Sequence, residues 1–70
     1  MNIKIREEED FIRLGQALKK AGIAGSGSDA KTFIVNGEVS VNGETEERRG
    51  RKLYPGDIVS FETETFQIIK

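Results

Sequence analysis

Between Ser28 and Gly43 the chain reads SDAKTFIVNGEVSVNG, a window that leaves the backbone few alternative paths. Ala30, Phe33 and Ile34 recur at helical spacing and form an inward face, while Lys31 and Thr32 point outward. Val35 lies between the two faces and is expected to touch a neighbouring element. Ser26 or Ser28 serves as the N-cap, and Asp29 adds negative charge at the positive end of the helix dipole. Asn36-Gly37 ends the helix, since both residue types tolerate the left-handed conformation. Val39 and Val41 then alternate with Glu38, Ser40 and Asn42, and Asn42-Gly43 is the preferred two-residue type I′ hairpin turn.

The flanking segments complete the order of elements. In Asn2 to Arg6, Ile3 and Ile5 alternate with Lys4 and Arg6, the pattern of a short edge strand. Phe11, Leu14, Leu18 and Ala21 recur at helical spacing and predict a buried stripe, with Asp10 as N-cap and Gly22 as C-cap residue. Arg13, Gln16, Lys19 and Lys20 fall on the opposite face. Gly25 to Ser28 forms a flexible connection, and Glu44 to Glu47 a short return strand. Tyr54-Pro55-Gly56-Asp57 suits a type II turn, with proline at its first corner and glycine at its second. Ile58 to Phe61 and Phe66 to Ile69 are the last strands, turning around Glu62 to Thr65. The result is an α+β domain over residues 1–70, in which two short helices pack on one side of a small antiparallel sheet.

Composition excludes several kinds of chemistry. With 70 residues there is room for one small core. The absence of cysteine removes disulfides and thiolate metal sites, and the absence of histidine removes the commonest general base and imidazole ligand. No segment approaches the roughly 18 apolar residues of a membrane span, nor does the N-terminus carry the apolar run of a signal peptide, so a cytoplasmic location is expected. Gly25, Gly27 and Ala30 match a dinucleotide fingerprint in letters only, because a helix precedes them and hairpins follow. Glu46 and Glu47 point to opposite sides of a strand, and no acid is expected to be buried or perturbed. No cofactor or metal is expected, and the chain reads as a non-enzyme.

The charge of −1 comes from 11 Lys+Arg and 12 Asp+Glu. Their distribution matters more than the total. Glu7 to Asp10 form an acidic block, whereas Arg48, Arg49, Arg51 and Lys52 crowd into five residues around Gly50. Arginine presents a planar fork suited to phosphate, and Gly50 permits close backbone approach. The plain alternative is a solvated loop paired with Glu46 and Glu47. The start of the second helix, with Lys31 one turn in, offers a second place for an anion beside its ordinary capping role. Phe11, Phe33, Phe61 and Phe66 all occupy core-compatible positions, so no exposed aromatic platform is expected.

These residues resemble the RNA-binding domain named after small-subunit ribosomal protein S-four, over a core motif at 11–61. The resemblance is carried by Arg13-Leu14, Ala21-Gly22, Ser26 to Lys31, Phe33-Ile34, Asn36-Gly37, Val39 to Gly43 and Pro55-Gly56-Asp57. Gly15 to Lys19 and Glu47 to Leu53 further resemble the free-standing bacterial YaaA/YbcJ-like type. Gly15 stands where relatives often have aspartate, and Thr32 where they often have a second basic residue. The resemblance implies the alpha-L motif and a role in binding structured RNA: ribosomal RNA, transfer RNA or a stem-loop, in a translation-related setting. By position it implies an RNA face of Lys19, Lys20, Lys31, Arg48, Arg49, Arg51 and Lys52. Phosphate contacts and shape recognition are then expected to outweigh single-strand base stacking. The rival reading is a protein-interaction or ribosome-assembly adaptor whose acidic edge meets ribosomal particles or proteins.

Overall fold

In the computed structural model, which describes residues 1–70, nine short elements follow one another. They are β1 (Asn2–Lys4), β2 (Ile12–Arg13), α1 (Leu14–Lys20), α2 (Gly27–Val35), β3 (Val39–Val41), β4 (Glu44–Thr45), β5 (Lys52–Leu53), β6 (Ile58–Phe61) and β7 (Glu64–Ile69). Five strands form one sheet in the order β1-β7-β6-β3-β4, and β2 pairs with β5 in a separate two-stranded ladder. Every pairing is antiparallel except β1 with β7, which is parallel.

Turn chemistry sets this path locally. Asn42 and Gly43 both have positive φ (53° and 85°), as a type I′ turn demands. Gly56 has φ of 99°, and Asp57 N–H donates to the Tyr54 carbonyl at 3.0 Å, closing the expected type II turn. Both helices end in the same motif. Gly22 N–H reaches back to the Lys19 carbonyl and Ile23 N–H to Leu18; Gly37 N–H reaches Ile34 and Glu38 N–H reaches Phe33. At the start of α2, Ser26 Oγ accepts from Asp29 N–H at 3.1 Å, which settles the N-cap in favour of Ser26.

Burial unites the layers. Leu14, Ala17 and Leu18 of α1 and Ala30 and Ile34 of α2 join Ile3, Val39, Val41, Val59, Phe66 and Ile68 from the inward side of the sheet in one core. Ile5, Ala24, Leu53 and Phe61 complete it. Strand alternation explains the choice: each inward residue on β3, β6 and β7 is followed by an exposed or half-buried one. Val35 departs from expectation. It is 55% exposed, because it falls on the solvent side of the last turn of α2, whose inward residues Phe33 and Ile34 face the core.

The first helix is shorter than its periodicity suggests. It begins at Leu14 rather than after Asp10, because Ile12 and Arg13 are extended and pair with Leu53 and Lys52. Two N–H groups at its start are taken by the basic loop: Leu14 N–H donates to the Arg51 carbonyl at 2.9 Å and Gly15 N–H to Arg49 at 3.0 Å. Tertiary hydrogen bonds thus claim residues that a continuing helix would have used.

Candidate nucleic-acid interface

A buried carboxylate shapes the basic loop. Glu46 follows β4, where its N–H donates to the Val39 carbonyl at 2.9 Å, and its side chain is only 8% exposed. It accepts hydrogen bonds from Arg48 N–H and Nε, both at 3.0 Å, from Arg48 Nη2 at 3.1 Å and from Arg51 Nη1 at 2.9 Å. The bonds from Arg48 and Arg51 overcome the opposing effect of burial and hold the Glu46 carboxyl at about 2. The expectation that no acid is buried or perturbed is therefore corrected. Glu47 remains exposed and joins none of these ion pairs. The solvated-loop alternative is right for two of the four cations, through Glu46 alone.

Three successive carbonyls dock this loop on the start of α1. Arg49 and Arg51 accept from backbone N–H groups, as described above, and Gly50 accepts from Arg13 Nη1 at 2.7 Å. Arg49 then crosses directly over Gly15, where an added Cβ would lie 2.7 Å from Arg49 Cγ. Gly15 is buried for this reason. Only a residue without a side chain allows the arginine to pass.

The four cations of the loop therefore divide. Arg48 and Arg51 share Glu46, yet the Arg48 side chain is 76% exposed and keeps donors facing solvent. Arg49 and Lys52 form no salt bridge. Three contiguous clefts join these groups to the rest of one surface. Arg13, Arg48, Arg51 and Lys52 line the first; Arg13, Gln16, Lys19, Gly27 and Arg49 line the second; Lys4, Arg6, Gln16, Lys19 and Lys20 line the third. Arg13 and Gly50 are common to the first two, Gln16 and Lys19 to the last two. Nine of the 11 lysines and arginines line this stripe, against one acid, Glu9, among 12.

Most of the residues implied by sequence come together here. Lys19, Lys20, Arg48, Arg49, Arg51 and Lys52 all lie on the stripe. Lys20 also has a structural bond, its Nζ donating to the Lys4 carbonyl at 2.6 Å. Lys31 is exposed one turn beyond Gly27 on α2 and lines none of the clefts. Sequence reasoning missed Lys4, Arg6 and Arg13 as members. The outward half of the Lys4/Arg6 alternation was a usable signal, but nothing in the sequence says that β1 lies beside α1.

The aromatic assignment also changes. Phe33, Phe61 and Phe66 pack in or on the core, and the rings of Phe33 and Phe61 lie 4.6 Å apart. Phe11 does not join them. It is half-buried on the cationic surface, because the extended Ile12–Arg13 segment turns it away from the stripe a helix would have buried.

Comparison with known proteins agrees with this architecture. The S4 domain family model matches residues 3–69. The chain is 48% identical over 63 residues to a Bacillus subtilis protein named "Probable ribosome maturation protein RlbA", covering 89% of each. It is 36% identical over 58 residues to YbcJ of Escherichia coli, covering 83% of each. The solution structure of YbcJ, described as revealing an αL motif involved in RNA binding, superposes with a TM-score of 0.73 at 30% identity, covering 99% of this chain and 86% of YbcJ. A further relative, small ribosomal subunit protein uS4m of Schizosaccharomyces pombe, is 40% identical over 48 residues, which span 69% of this chain and 15% of that protein.

Proposed function

The chain belongs to the S4 domain family, and from that premise we propose that it is a non-catalytic protein that docks on structured RNA through phosphate contacts. Ribosomal RNA is the foremost target, and the cytoplasm the place of action. One observation carries the reading: a molecule of net charge −1 gathers nine of its 11 cations on one surface. Gathering like charges on one surface incurs self-repulsion, whereas a polyanion would relieve it and release counterions on meeting that surface. The relatives named for ribosome maturation and RNA binding support the same target class. A non-catalytic role fits the one buried acid, since Glu46 is held ionised by two arginines and is not poised to exchange a proton.

The test compares affinity for ribosomal RNA hairpins at 50 and 200 mM salt. Wild type is expected to lose about 10–100-fold across that range, the effect of a few phosphate contacts. Arg49→Ala with Lys52→Ala is the informative variant, because neither side chain braces Glu46. Salt-insensitive or absent RNA binding by wild type, with retention of a ribosomal protein partner, would favour the adaptor reading instead.

A further inference from the structure

Four side chains share the outer face of the β2–β5 ladder. Ile12 pairs with Leu53 and Arg13 with Lys52, so continuing the antiparallel register sets Phe11 opposite Tyr54. Alternation then turns Leu53 into the core with Ile12 packed against it, and Phe11, Arg13, Lys52 and Tyr54 outward. The geometry agrees. Lys52 Nζ lies 4.9 Å and Arg13 Cζ 5.4 Å from the Phe11 ring centroid. The Tyr54 ring lies 6.1 Å away, tilted by 54°.

Phe11 belongs neither to the core nor to the half-buried residues packed on it, and Tyr54 is 47% exposed. Phe11 also borders the third cleft, of about 400 Å³, beside Gln16, Lys19 and Arg6. A cleft of that size lies within the range that accepts a small organic ligand, about 300–1,000 Å³. An occupant that suits this place is flat enough to stack on Phe11 and carries negative charge at its edge, since Lys4, Arg6, Lys19 and Lys20 outnumber the one acid of the cleft, Glu9.

We propose that the Phe11/Tyr54 platform stacks one unpaired nucleobase, bulged or looped out of the structured RNA whose phosphates lie along the cationic stripe. The inference rests on the RNA-docking reading and deepens it. Unpaired bases are what a protein can reach in folded RNA, and aromatic and guanidinium planes are what they stack on. Gln16 offers amide donors and an acceptor to the base edge, while Lys19 and Arg6 meet the flanking phosphates.

The experiment uses the full chain and two RNA hairpins, one with a fully paired stem and one identical except for a single unpaired adenosine. Wild type is expected to prefer the bulged hairpin by about 5–100-fold, the range of one base–aromatic stack. Phe11→Leu should bind both hairpins alike, at the paired-stem affinity. Phe11→Trp should keep the preference. Because the chain has no tryptophan of its own, that variant's fluorescence should be quenched by the bulged RNA and not by the paired one. Equal affinity of wild type for the two hairpins overturns the stacking site while leaving phosphate docking intact. A preference that survives in Phe11→Leu, or absent quenching in Phe11→Trp, also overturns it. Failure of wild type to bind either RNA removes the docking reading and this inference together.

Discussion

Two polar loops leave the same hairpin region, and each is closed by one carboxylate. Asp57 closes Tyr54–Asp57: it accepts from Tyr54 N–H at 2.8 Å and from Asn42 Nδ2 at 3.0 Å, while Asn42 Oδ1 accepts from Ile58 N–H at 2.9 Å. Glu46 closes Arg48–Lys52 with charged partners and from a buried position. The first arrangement spends neutral donors and brings no positive charge to offer an anionic ligand. In the second, one anion anchors Arg48 and Arg51 and leaves Arg49 and Lys52 as a positive surplus. The same device of a carboxylate across a turn therefore gives shape in one loop and a charged surface in the other.

The comparison breaks most sharply at Glu46. Glu46→Ala removes the acceptor of the half-buried Arg51 and of Arg48, whose side chain is largely in solvent, and should destabilise the fold by about 2–3 kcal/mol, read by chemical denaturation. RNA affinity should fall with it, since the docked loop loses its anchor. Asp57→Ala, which removes two exposed hydrogen bonds to neutral donors, should cost about 1–2 kcal/mol and leave RNA affinity nearly unchanged in a binding titration. Comparable losses of affinity in the two variants would erase the distinction.

Acid separates the loops in another way. The folded Glu46 carboxyl lies at about 2, below its ordinary 4.5. A depressed carboxylate contributes stability that is fully present above 4.5 and is lost as pH falls from there toward 2. Melting temperatures measured across that window should fall less steeply for Glu46→Gln than for wild type, because the variant has already lost the titrating group. Asp57→Asn should preserve the wild-type dependence on Glu46.

Gly15→Ala is the smallest and most local probe. The new Cβ would collide with Arg49 Cγ but lie 3.6 Å from the Arg49 carbonyl, so the backbone bond can persist while the side chain is displaced. RNA affinity should drop by about 3–10-fold, as for one weakened phosphate contact, with little change in melting temperature. A large loss of stability instead would show that Gly15 serves the packing of the loop and not the aim of Arg49.

Much of the fold was legible because its signals are local. Asn42-Gly43, Gly56 and the two helix-ending glycines impose backbone angles within one turn, and the Val39/Val41 and Ile3/Ile5 alternations assign sides to strands without reference to partners. The Arg48–Lys52 cluster was equally visible as a concentration of charge. Less legible was the division of labour inside it. Burial of Glu46 depends on strand β3 and on where the loop docks, neither of which is encoded in the neighbouring letters.

Only the tertiary structure decided the rest, and the reason is distance along the chain. The periodicity of Phe11, Leu14, Leu18 and Ala21 supports a longer helix, but hydrogen bonds to Lys52 and Leu53, some 40 residues away, pull Ile12 and Arg13 into a ladder. That one competition moves Phe11 from the core to the surface, frees Arg13 to hold Gly50, and aligns the loop with α1. Parallel pairing of β1 with β7 likewise brings Lys4 and Arg6 to the same surface from the opposite end of the chain. By itself the sequence determined the turns, the strand faces and the presence of a basic cluster, all matters of nearest neighbours. Which cations face outward together, and which aromatic stands among them, depended on contacts that exist only once the chain has closed on itself.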